Sequence, residues 1–318
     1  MGDFRNHLFA DEKTPLYQLF LFMFVVLVGG VLLFSLTVVA GTYIFDTDPN
    51  FLTNTEAVTG SKEAGFTKYT LIMQQITLFI LPALLLMTLI NSPQKPRFPD
   101  FKPPALHEII LVVFLAFCLF PITGFTGQLN SQMNFPEWLS GVEKWMVEKE
   151  DSAGRIIQML TNPESIWTMF GNIIIIAVLP ALGEELIFRG VLQKILARFL
   201  RSGNASVWIT AFIFSSLHLQ FFGFLPRFIL GLIFGYLFLW SGTLWLPIIA
   251  HFVNNAVSVA AEYFQSGNSA NVLPDSNFWQ HMGGIVFPGL AIIMILLYFR
   301  SRHASIPVPE RKNEETNG

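Results

Sequence analysis

Long apolar runs constrain this chain more than any other feature. Eight can be marked off: Tyr17 to Ile44, Tyr69 to Ile90, Ala105 to Phe125, a central stretch from about Ser165 to Leu200, Ala205 to Phe222, Phe228 to Trp240, Leu244 to Tyr263, and Phe278 to Phe299. A helix of about 20 apolar residues crosses the hydrocarbon core of a bilayer. In lipid the backbone must satisfy its own hydrogen bonds, so such runs are expected to be helices. The expected fold is an all-α polytopic membrane protein with about eight transmembrane helices, the sixth unusually short.

Composition narrows the class. Charged residues make up 13% of the 318 and hydrophobic ones 53%, whereas a soluble domain is about 25% charged. The single cysteine, Cys118, lies in an apolar run, which excludes a disulfide framework or a cysteine-rich metal site. A net charge of −3 gives no reason to expect nucleic acid as a partner. The first apolar run is too long for the core of a signal peptide.

Lys and Arg in the loops set the expected orientation. The loops 91–104 and 189–204 are basic, while 46–68, 126–165 and 264–277 carry more acids than bases. Both termini are therefore expected on the cytoplasmic side. The chain divides into a polar segment 1–15, N-terminal spans with a long external loop over 16–165, a central core 166–264, the last loop and span 265–299, and a cytoplasmic tail 300–318. Within the long loop, Trp138, Val142, Trp145 and Met146 recur at helical spacing among charges. That spacing fits a short amphipathic helix, on the membrane surface or simply solvated.

Three polar constellations interrupt the later runs. Glu184 and Glu185 precede Arg189 inside an apolar stretch that also holds Pro180. Ionisable groups there are costly, roughly 2.5–3.5 kcal/mol each on insertion scales, and are functional candidates by default. Glu185 and Arg189 are i,i+4 neighbours able to pair, which turns Glu184 about 100° away toward a cavity. The second constellation is Phe214 with His218, the third His251 with Asn255, each again at i,i+4. A carboxylate suits general-base work, and a histidine with an amide can donate to an oxyanion.

In this order on successive helices, E-E-x-x-x-R, F-x-x-x-H and H-x-x-x-N resemble the motifs of the CPBP family, the CAAX protease and bacteriocin-processing, or Abi-type, membrane proteins related to the type II CAAX prenyl endopeptidases. The likeness covers roughly Ile173 to Asn255, and every motif position is filled. It implies a glutamate-dependent intramembrane endopeptidase. Glu184 with His218 would activate a water, His251 and Asn255 would stabilise the oxyanion, Glu185 and Arg189 would support Glu184, and Phe214 would shape the pocket. The implied partners are membrane lipids and a membrane-associated or lipidated peptide substrate, with no cofactor; the prokaryotic plasma membrane is the expected location.

Two other readings use the same residues. A zinc protease could take His218, His251 and a glutamate as ligands, but no H-E-x-x-H occurs and Asn255 would have no role. A non-catalytic immunity or scaffold protein could share the fold, although all the chemical positions are intact. A proton-relaying transporter would need paired broken helices or an inverted repeat, and the sequence shows neither.

Overall fold

The computed structural model describes residues 14–47, 61–90, 101–133, 135–161, 165–266 and 278–302. The polar segment up to residue 13, most of the loops expected at 46–68 and 91–104, residues 267–277 and the tail from residue 303 lie outside these. Every element among the described residues is helical. We number them α1 (Pro15–Phe45), α2 (Lys62–Ile90), α3 (Leu106–Ser131), α4 (Ser140–Thr161), α5 (Ile166–Leu200), α6 (Gly203–Leu217), α7 (Phe224–Ser241), α8 (Trp245–Ser266) and α9 (Phe278–Arg302).

All eight apolar runs are helical, and among the described residues six helices are long and apolar enough to cross a membrane: α1, α2, α3, α5, α7 and α9. The protein is an all-α polytopic membrane protein. Several boundaries differ from the sequence reading: α2 begins at Lys62 and not at Tyr69, and α3 runs on to Ser131 instead of ending at Phe125. α6 stops at Leu217 instead of running to Phe222, because the chain turns at Leu219 with φ of 54°. α7 has 18 residues, not the short span expected. α4 extends the expected short amphipathic helix to 22 residues and buries Met146 and Leu160, while Trp138 lies before it in a short 3-10 turn and is 80% exposed.

α5 organises the bundle. Ser165 caps its start by accepting from the Thr168 amide at 3.2 Å, and Arg201, left-handed at φ of 52°, ends it. Pro180 does not break it. The helix instead passes through π-helical turns at Ile174–Val178 and Glu185–Leu192, on either side of the proline. Such turns accommodate a missing backbone donor and gather at functional positions. Its 35 residues span about 50 Å, more than the roughly 30 Å hydrocarbon core, and Glu184 lies near the middle.

Two apolar cores flank this helix. One joins Leu186, Ile187, Phe188 and Val191 of α5 to Phe22 and Val25 of α1 and to Ala83, Leu86 and Met87 of α2. The other joins α3, α7, α8 and α9 through Leu115, Leu119, Phe234, Leu237, Ala250 and Ile295. Small residues allow α6 and α7 to approach closely, as membrane helices commonly do. A Cβ at Gly231 would lie 3.0 Å from the Ala211 Cβ, and one at Gly235 would lie 2.8 Å from Val207 Cγ1.

Candidate functional site

The motif residues meet where α2, α5, α6, α7 and α8 pack together. Glu185 and Arg189 are fully buried, Glu184 is 7% exposed and His251 5%. Arg189 donates from Nη1 to Glu185 Oε1 at 2.8 Å, which is the i,i+4 pair expected from the sequence. Its Nη2 donates to the Gly231 carbonyl at 3.1 Å, and its guanidinium lies 4.9 Å from the centre of the Phe214 ring. One turn on, Gln193 Nε2 donates to the Gly235 carbonyl at 3.1 Å. The glycines that admit α6 also bare the two carbonyls that fix α5 against α7.

His251 reaches the same carboxylate. Its Nδ1 lies 2.9 Å from Glu185 Oε1, and its Nε2 lies 3.9 Å from Glu184 Oε2. Phe234 stacks on the imidazole at 5.2 Å with planes 26° apart, and Phe214 meets it edge-on at 6.3 Å. Glu185, an acceptor, requires a proton on Nδ1. That assigns Nε2 as the atom of His251 that faces Glu184. The sequence placed His251 with Asn255 as an oxyanion pair; the structure ties it also to Glu185.

His218 stands at the end of α6, not inside a helix. Its Nδ1 is 2.8 Å from the Phe214 carbonyl, and its ring packs on Phe214 at 4.9 Å between centres. A carbonyl only accepts, so Nδ1 carries the proton and Nε2 keeps its lone pair in the neutral ring. Asn255 is half-buried, donates from Nδ2 to the Ile176 carbonyl on α5 at 3.3 Å, and accepts from Asn254 Nδ2 at 3.3 Å. One N–H of its amide remains for another acceptor.

Several contributors escaped the sequence reading. Gln75 of α2 donates from Nε2 to Glu184 Oε1 at 3.4 Å, a long hydrogen bond. Its signal was available, since Gln74-Gln75 interrupts an apolar run and polar residues at that depth need a reason. Asn130 of α3 braces the loop behind His218: Nδ2 donates to the Phe221 carbonyl at 2.6 Å, and Oδ1 accepts from the Leu225 amide at 3.0 Å. Ser215 Oγ donates to the Phe224 carbonyl at 2.6 Å, and Arg227 holds the Gln220 side chain and, at 3.0 Å, its carbonyl.

A buried polar atom left without a partner costs about 1–3 kcal/mol. Glu185 Oε2, Arg189 Nε, Gln193 Oε1 and Gln75 Oε1 are such atoms. Among the described residues, no three His, Cys, Asp or Glu side chains are grouped as a metal site would require.

Comparison with known proteins bears on the same segment. Residues 166–257, the stretch that holds all three motifs, match the family model described as type II CAAX prenyl endopeptidase Rce1-like, which supports the resemblance drawn from them. A stretch of 120 residues is 30% identical to the uncharacterized protein YpbD of Bacillus subtilis strain 168. That alignment takes in 36% of this chain and 57% of YpbD, so the likeness to this relative is partial on both sides. No solved structure matches.

Proposed function

We propose that this integral membrane protein, whose residues 166–257 carry an Rce1-like core, is an intramembrane endopeptidase. Its substrate is a membrane-associated or lipidated, CAAX-like peptide. The observation that carries this reading is the position of Glu184. It is a nearly buried carboxylate held by one long hydrogen bond and facing His251 Nε2. Its neighbour Glu185 is consumed by Arg189 and His251.

In this mechanism Glu184, aided by the free Nε2 of His218, takes a proton from water as the water oxygen bonds to the scissile carbonyl carbon. The carbonyl π electrons move to oxygen, and the oxyanion accepts from His251 Nε2–H and the remaining Asn255 N–H. For Nε2–H to donate while Nδ1–H stays on Glu185, His251 acts as the imidazolium. Its charge and that of Arg189 then balance those of Glu184 and Glu185. The tetrahedral species collapses as the C–N bond breaks, and Glu184 returns its proton to the leaving nitrogen. Collapse yields a carboxylic acid and an amine, and transfer of the acid's proton to the amine leaves a carboxylate and an ammonium. Glu185, Arg189 and Phe214 hold the imidazole and the helix in place, and no metal enters the reaction.

The test is cleavage of a quenched library of prenylated and transmembrane peptides by detergent-purified protein. Wild type should cleave with or without a strong zinc chelator, and Glu184→Gln should lose about 10²–10⁴-fold in turnover, the usual worth of a general base. Undiminished turnover by Glu184→Gln would overturn the assignment. Loss on chelation would replace it with a zinc mechanism through His218 and His251.

A further inference from the structure

Gln75 lies on α2, outside the residues that match the family model. It is 8% exposed, its Nε2 donates to Glu184 Oε1 at 3.4 Å, and its Oε1 is buried without a partner. An apolar residue at this place would avoid that unmade hydrogen bond, so packing alone does not account for the amide. The opposite wall is built to admit it. Gly183, the residue before Glu184, presents a bare Cα, and a Cβ there would lie 2.9 Å from Gln75 Oε1 and 3.1 Å from the Phe79 Cβ. Both sides of the contact are thus fitted to one carboxamide.

We infer that Gln75 is a positioning residue for Glu184, a clamp from the N-terminal helices that fixes which way the reactive carboxylate points. Arg189 and His251 Nδ1 are committed to Glu185, and His251 Nε2 stands 3.9 Å from Glu184, beyond hydrogen-bond distance. Without the Gln75 amide, the carboxylate would be restrained mainly by its own rotamer. The inference rests on Glu184 being the reactive group of the proposed protease. It adds that orientation of this group comes from outside the core that carries the motifs.

The experiment uses the full chain in detergent, with Gln75→Met, which keeps length and removes the donor, and Gly183→Ala, which pushes the carboxamide away and leaves it intact. The infrared difference between wild type and Glu184→Gln isolates the Glu184 carboxyl band. Either variant should displace that band and lower kcat about tenfold, the worth of one hydrogen bond to a charged group. KM should stay within about twofold, because the contact is not to substrate. An unmoved band in a folded variant overturns the inference, and so does a change confined to KM. If Gln75→Met does not fold, Gly183→Ala is read by the same criteria. Full activity in Glu184→Gln would sink the assignment of Glu184 as the reactive group, and with it the catalytic part of the inference, while the band test would still report on the contact between Gln75 and Glu184.

Discussion

Adjacent residues on α5 face two different environments. Glu185 looks toward α7 and α8, where two donors converge on one of its oxygens and no water reaches it. Glu184 looks toward α2, with one long hydrogen bond from Gln75, and has the His251 imidazole of α8 only at 3.9 Å. A carboxylate bonded as Glu185 is cannot change its proton count without stranding a buried guanidinium, so it behaves as scaffold. Glu184, by contrast, is held by a single long hydrogen bond and has no charged partner within hydrogen-bond distance. In the proposed mechanism, one residue of rotation along a helix separates structural charge from reactive charge.

The contrast can be broken from the scaffold side, where the largest effect is expected. Arg189→Met leaves Glu185 buried with only His251 to pair it and should cost about 3–5 kcal/mol, the usual penalty for removing one partner of a buried pair. Thermal unfolding in detergent measures this, and a loss below about 1 kcal/mol would mean the pair is not structural.

An intermediate effect is expected at the loop behind His218. Asn130→Leu removes both hydrogen bonds to Phe221 and Leu225, at roughly 1 kcal/mol each. It should therefore lower stability by about 2 kcal/mol and reduce turnover together with it. Full turnover in a destabilised but folded Asn130→Leu would show that the loop does not hold His218.

The smallest effect belongs to a pair outside both regions. Lys62 and Asp46 meet at 3.0 Å with side chains 62% and 88% exposed. Lys62→Ala should change stability by less than about 0.5 kcal/mol, as exposed pairs commonly do. A larger change would show that α1 and α2 depend on this contact and would weaken the contrast between buried and surface charge.

Much of the architecture was legible beforehand. Apolar runs dictated the helices because lipid permits few other forms, and the spacing of Glu185 and Arg189 dictated their pairing because i,i+4 residues share a face. Local geometry also placed Phe214 beside His218. What periodicity could not supply was the extent of α6, which ends where Leu219 turns left-handed, or the tie from His251 to Glu185 across 66 positions of sequence.

The sequence by itself determined the class of protein, the order of its helices and the polar groups worth suspecting, since each follows from hydropathy or from neighbours within one turn. The tertiary structure decided which carboxylate is locked and which is held loosely. It also decided which His251 nitrogen faces Glu184, and that Gln75 and Asn130 hydrogen-bond into the site region from α2 and α3. These outcomes depend on contacts between helices distant in sequence. Close approach over Gly183, Gly231 and Gly235 sets those contacts, and no local pattern encodes the partner that fills the space each glycine leaves.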